Sequence, residues 1–268
     1  MRDPKVILVT GASSGIGEAL ALSYAEPGRT LVLTGRDRDR LQVVADRCIE
    51  RGAAVRQEIV DVTDRPRMTE WLRKIDAEMP IDLAIANAGI SGGTSGAAES
   101  EGQARRIFAV NLDGVLNTLL PLVDPMRVRR RGQLAIMSSL AAFRGFPGAP
   151  AYCASKAAIR IWGESMRGTL AADGIEVNVI CPGFVRSRMT AVNAFRMPLL
   201  MDADRAARII RRGLERNRAR IAFPFPTYLG AWFAGMLPPS WTDRLFARLP
   251  RKSAMQSGDG NLPPKRSL

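Results

Sequence analysis

The chain has no histidine among its 268 residues. That removes Ser-His-Asp and Cys-His nucleophilic catalysis and leaves Tyr, Lys, Asp, Glu and Cys as general acids or bases. Cysteine is scarce. Cys48, Cys153 and Cys181 lie far apart, are odd in number and form no CxxC pair. This pattern argues against a disulfide framework and against a Cys/His zinc site, so no metal is expected and a reducing, cytoplasmic compartment is. Acidic residues are outnumbered: 26 Asp and Glu face 39 Lys and Arg, for a net charge of +13. The basic residues form no aromatic-interleaved stripe and no known reading motif, so no nucleic-acid partner is expected. From residue 191 onward there are 14 Lys/Arg and 5 Asp/Glu, so nine of the thirteen net charges lie there. They serve solubility or attract anionic phosphates and lipid head groups. Met1 to Lys5 run straight into an apolar strand, so no signal peptide is expected.

What is present is a substantial core, with 46% hydrophobic residues, which excludes a disordered chain. Val6 to Thr10 is a continuous apolar run, as in a strand buried on both faces. Gly11-Ala12-Ser13-Ser14-Gly15-Ile16-Gly17 follows, then a helical pattern to about Glu26. Strand, Gly-rich turn and helix aim backbone N–H groups and a helix N-terminus at a phosphate. Thr30–Thr34 is a second strand, followed by Gly35 and Arg36 rather than an acidic residue. A carboxylate there binds ribose hydroxyls; an arginine can clamp a 2′-phosphate. Arg36 therefore points to NADP(H), with NAD(H) the other dinucleotide and a solvated loop arginine the plain alternative.

Further strands are expected at Ala53–Val60, Asp82–Ala86, Gly132–Ser138 and Ile175–Cys181, with helices between them. Thr63 or Asp64 should cap the helix after the third strand. Residues 91–98 read as a mobile loop, and Asn111 should bend the long helix at Glu101–Met126 or hold water. Alternating strands and helices specify a single doubly wound parallel α/β sheet of the Rossmann type, with about seven strands and helices on both faces. Residues 1–190 form the core, 191–252 an extension of the same domain, and 253–268 a polar tail expected to be disordered.

Tyr152 and Lys156 are four apart in a helical stretch and share one face. A cation beside a phenol favours the phenolate and lowers its pKa, which suits proton exchange with an alcohol or ketone oxygen. Alone, such a pair is an ordinary core edge and a solvated charge. It stands, however, in an ordered series: Thr10-Gly11-x3-Gly15-x-Gly17, Asp61-Val62, Asn87-Ala88-Gly89, Asn111, Ser138-Ser139, Tyr152-x3-Lys156 and Pro182-Gly183-Phe184-Val185-Arg186-Ser187. Over residues 5–190 the sequence resembles the short-chain dehydrogenase/reductase family.

The resemblance implies an NAD(P)(H)-dependent oxidoreductase that interconverts a ketone and a secondary alcohol without a metal. It makes Tyr152 the general acid/base and lets Lys156 bind the nicotinamide ribose and lower the tyrosine pKa. Ser139 orients the substrate oxygen, and Asn111 holds a relay water. Gly11, Ser13, Ser14, Ile16 and Gly17 are implied around the diphosphate, Asp61 and Val62 around the adenine. Asn87, Ala88 and Gly89 are implied behind it, and Ile180, Pro182, Gly183, Val185 and Ser187 at the nicotinamide. A homodimer or homotetramer is implied as well, although the family's acidic-Gly-Gly turn after the last strand is missing. The reading from another class is a dinucleotide-binding sensor or scaffold without catalysis.

From Ile221 to Thr242 there is no charged residue, and Phe223, Phe225, Tyr228, Leu229, Trp232, Phe233, Met236 and Trp241 lie within it. Its helix-capable part, Thr227–Leu237, is shorter than the ~20 residues a bilayer span needs. Arg216, Arg218 and Arg220 precede it; Arg244, Arg248 and Arg251 follow. The segment covers an apolar substrate pocket, forms an oligomer interface or makes a peripheral membrane contact. Each favours a bulky, apolar substrate.

Overall fold

The structure, a computed structural model, describes residues 3–95, 98–193, 195–247 and 254. Its strands are β1 (Val6–Thr10), β2 (Thr30–Gly35), β3 (Ala54–Ile59), β4 (Leu83–Ala86), β5 (Gly132–Met137), β6 (Ile175–Pro182) and β7 (Arg220–Phe223). The helices are α1 (Gly15–Tyr24), α2 (Arg38–Glu50), α3 (Arg65–Glu78), α4 (Glu101–Phe108), α5 (Gly114–Val128), α6 (Pro150–Leu170), α7 (Arg188–Ala191), α8 (Ala203–Glu215), α9 (Phe225–Met236) and α10 (Pro239–Phe246). The seven strands form one parallel sheet in the order β3-β2-β1-β4-β5-β6-β7. The expected doubly wound sheet is present.

Both sheet faces are covered because the central strands are apolar on both, whereas the edge strand β3 carries Arg56, Gln57 and Glu58. Ile7, Val9, Leu31 and Leu33 pack with Leu20 of α1, Leu41 of α2 and Ile210 of α8. Leu8 and Val32, one register step away, pack with Leu72 of α3, Leu119 of α5 and Ile159 of α6. This period-two alternation between two apolar layers is what a central parallel sheet requires. After β3 the chain crosses to β4 on the other side of β1. The strand order therefore reverses between β1 and β4, which opens a crevice at their carboxyl ends.

Local signals end the elements much where the sequence places them. Asp37 accepts from Arg40 N at the start of α2, and Asp64, one of the two expected caps, accepts from Arg67 N at the start of α3. The long helix departs from α-helical geometry at Asn111: Ala109–Asp113 form a π-turn between α4 and α5. By length and composition Glu101–Val128 could cross a membrane, yet 56% of its most apolar window is buried in the fold. Of the loop expected at residues 91–98, residues 96 and 97 lie outside the described residues, and Ser95 and Ala98 are exposed. Gly92, Gly93 and Thr94 are buried, and Gln103 Nε2 donates to Gly93 O at 3.0 Å. Small side chains let Gly92 to Thr94 tuck inward. The tail expected to be disordered lies, apart from Ala254, outside the described residues.

Candidate active site

The Gly-rich turn after β1 is built by close approach. Gly11 and Gly15 have φ of +65° and +60°, a region side-chain-bearing residues rarely adopt. A Cβ on Gly17 would lie 2.2 Å from Gly11 O, so α1 starts against the turn only because that residue is glycine. Asn87, at the end of β4, holds the turn from outside: its Nδ2 donates to Thr10 O at 3.0 Å and to Gly11 O at 3.3 Å. Thr10 Oγ1 accepts from both Asn87 N and Ala88 N at 3.1 Å. Thr10 and Asn87 thus lock β1 to β4 at the crevice. The motif contained Thr10, but only the tertiary contact reveals this role.

Around the turn lie the other dinucleotide candidates. A Cβ on Gly35 would sit 3.2 Å from Ser13 Oγ, which sets the end of β2 beside the cradle. Ser14 stands at the N-cap of α1 with no side-chain cap bond, and Ile16 packs on the core. Arg36 is exposed, with Nη1 3.8 Å from Asp61 Oδ2. Val62 is buried, and its carbonyl accepts from Asn117 Nδ2 at 2.9 Å. On the opposite flank, Pro182 ends β6 and Gly183 N donates to Phe223 O at 2.7 Å. Buried Val185 bridges to Met201, and Ile180 lies in the core beside it. Ser187 caps α7, and its Cβ would be 2.9 Å from a Cβ on Gly15. Cradle and β6 exit therefore meet.

The residues expected to do chemistry gather between β5 and α6. Lys156 is buried, and its Nζ donates to Met137 O at 2.8 Å while standing 5.9 Å from the Tyr152 ring centre. Ser138 Oγ donates to Lys156 O at 2.7 Å and ties strand to helix. Ser139 lies near enough to the Tyr152 phenol to favour its ionised form, and its Oγ accepts from Ala141 N at 3.1 Å. Asn111 Nδ2 donates to Ile90 O at 2.9 Å and to Ser155 Oγ at 3.1 Å, while Oδ1 accepts from Ile90 N at 2.8 Å. Its side chain clamps the β4 exit to α6. Ser155 completes the clamp by donating to Tyr152 O at 2.8 Å.

Two positioning residues escape a sequence reading. Ser155 is an ordinary helix residue until its partners are known. Glu99 lies 52 positions before Ala151, whose N–H it accepts at 2.9 Å through Oε2. α6 has no side-chain cap of its own at Ala149, so Glu99 supplies one from the loop.

The electrostatics correct one expectation. The phenol of Tyr152 is raised rather than lowered: burial pushes it up, and the neighbouring Ser139 hydroxyl offsets this only in part. Burial also holds the Lys156 ammonium down, from 10.5 to about 8. Desolvation disfavours the charged form of each group and is the leading cause of both shifts. The phenol is therefore a neutral proton donor at pH 7. Lys156 has a lower pKa folded than unfolded, so the folded chain binds fewer protons between about pH 8 and 10.5. Its penalty on stability is full below pH 8 and is relieved as pH rises through that window. Activity should move the other way. If the cation serves catalysis, kcat/KM for reduction falls by about tenfold per unit above pH 8; a profile flat to about pH 9.5 refutes that role.

Comparison with known proteins agrees with this architecture. The sequence matches the short chain dehydrogenase family over residues 5–196. An uncharacterized oxidoreductase of Myxococcus xanthus is 38% identical over 246 residues, covering 91% of this chain and 97% of the relative. A 3-oxoacyl-acyl-carrier-protein reductase of Thermotoga maritima is 32% identical over 187 residues, covering 69% of this chain and 76% of the relative. Among solved structures, a short-chain type dehydrogenase/reductase from Mycobacterium marinum superposes with a TM-score of 0.74 at 27% identity, covering 82% of this chain and 93% of that one. The chain belongs to the short-chain dehydrogenase/reductase family. It is an oxidoreductase acting on CH–OH donors with a nicotinamide dinucleotide.

Proposed function

We propose that this enzyme interconverts a bulky, apolar ketone and its secondary alcohol with NADP(H). The observation that carries the reading is the meeting of a half-buried phenol, a serine hydroxyl near it and a buried ammonium beside the crevice. In reduction Tyr152 gives its proton to the carbonyl oxygen while Ser139 holds that oxygen; in oxidation Tyr152 takes the proton back. Bound nicotinamide supplies or accepts the hydride. Met137 O takes one N–H of Lys156, which leaves two for ribose hydroxyls. Asn111 Oδ1 and Lys156 Nζ both border Gly89, at 3.1 and 3.3 Å from where its Cβ would be, an arrangement suited to a relay water.

The preference for NADP rests on the end of β2. The first acid there, Asp37, is engaged twice over: it caps α2 and pairs with Arg40 at 2.6 Å. Arg36 is exposed and free to leave Asp61 for a stronger, bidentate phosphate partner. Fluorescence titration with NADPH and NADH, repeated on Arg36→Asp, tests this. NADPH should bind tighter by about tenfold or more, and the variant should lose that margin. Equal affinities would return NAD as the cofactor.

Phe184 and Phe195 pack edge to face at 6.1 Å in the chain that follows β6, and an apolar pair on that flank of the crevice would suit a bulky, apolar substrate. The 221–242 segment contributes little to such a wall, because its largest side chains face outward. The family habit of pairing copies makes a homodimer or homotetramer the expected assembly, and sedimentation measures it.

A further inference from the structure

The helix α9 is built inside out. A surface helix of a soluble domain turns its large apolar residues inward and its polar ones to water. Here Phe225, Leu229, Trp232, Phe233 and Met236 follow the i, i+4, i+7, i+8, i+11 spacing of one face, and that face is exposed, from 42% at Trp232 to 67% at Phe225. Trp241 of α10 adds a further ring, 74% exposed. The inward side is made of small residues and one tyrosine. Gly235 stands so close to the Phe143 backbone that a Cβ would fall 2.3 Å from Phe143 O, and Tyr228 and Ala231 pack on Leu140, Val179 and Cys181. Close docking through small residues fixes the large ones outward.

We infer that this face of α9, with Trp241, seats on an anionic lipid surface. Three observations select that occupant. α9 has 12 residues, about 18 Å of helix, against a hydrocarbon core of ~30 Å, so it lies in the interface instead of spanning it. Two exposed tryptophans suit the boundary between head groups and chains. The sequence just beyond, residues 240–252, carries Arg244, Arg248, Arg251 and Lys252 against Asp243 alone. A flank of this composition favours an acidic head-group layer over a second copy carrying the same charge. α9 also rests on the turn that leaves Ser139, which places the bilayer contact beside the substrate-binding side of the fold.

The test uses the full chain and vesicles of phosphatidylcholine with phosphatidylglycerol at about 3:1, beside phosphatidylcholine alone. Co-sedimentation should favour the anionic vesicles by about tenfold, with a blue shift of tryptophan emission, and should weaken in high salt. The double variant Trp232→Glu, Phe233→Glu alters only exposed side chains, so it should melt like the wild type and lose that partitioning by about tenfold or more. The inference is overturned if the variant still partitions like the wild type, or if the wild type ignores anionic vesicles. It is equally overturned if the substitutions instead split a wild-type oligomer in sedimentation analysis, for then a second copy covers the face.

Discussion

Tyr152→Phe should lower kcat for ketone reduction by about 10²- to 10⁴-fold while leaving cofactor affinity and melting temperature near wild type. The phenol sits half-buried, its proton held firmly because desolvation disfavours the phenolate. Such a group is a poor base in solution and an effective donor at pH 7 to an oxygen that is gaining charge. Phenylalanine keeps the ring, and with it the contact over which Lys156 Nζ stands, but removes the O–H near Ser139. The two hydroxyls have separate roles, so the loss should fall on kcat rather than KM. The readouts are single-turnover cofactor oxidation with a ketone, and fluorescence titration for cofactor binding. If Tyr152→Phe turns over within about threefold of the wild type, the proton comes from another group and the assignment fails.

Much of this site is visible in the chain because its signals are local. Apolar runs mark β1 and β2, glycine spacing marks the cradle, and the four-residue interval puts Tyr152 and Lys156 on one face of α6. What the interval cannot show is burial. Proximity alone predicts a cation lowering the phenol pKa, yet burial raises the phenol and brings Lys156 down to about 8. Glu99 is hidden for a related reason: its bond to Ala151 spans a loop and 52 positions, and no periodicity reports it. Composition picks out the charge-free 221–242 segment but not its orientation, because α9 is apolar on one side and merely small on the other. Only packing against Phe143 decides which side meets water.

Gly17→Ala, a single added methyl, should damage the fold and the cofactor site together. The new Cβ would lie 2.2 Å from Gly11 O, 2.6 Å from Asn87 Nδ2 and 2.9 Å from Gly11 C. These are backbone atoms and a side chain already bonded to the turn, so no flexible chain end can swing aside. Either α1 retreats from the turn or the turn opens and Asn87 loses its bonds to Thr10 O and Gly11 O. Overpacking of this kind costs about 1–3 kcal/mol, or a melting temperature lower by roughly 2–10 °C in a chain of this size. The N–H groups of the turn would also lose the aim that suits a diphosphate, so NADPH affinity should fall by about tenfold or more. Gly168→Ala is the matched control. It lies in α6 with no atom within 4 Å of its would-be Cβ, and the better helix propensity of alanine should stabilise the chain by up to about 1 kcal/mol. If both variants melt alike and bind NADPH alike, α1 does not start against the turn and the cradle is not held by that contact. If Gly17→Ala alone loses both stability and cofactor, glycine spacing serves here to bring backbone against backbone, and cofactor binding depends on that approach.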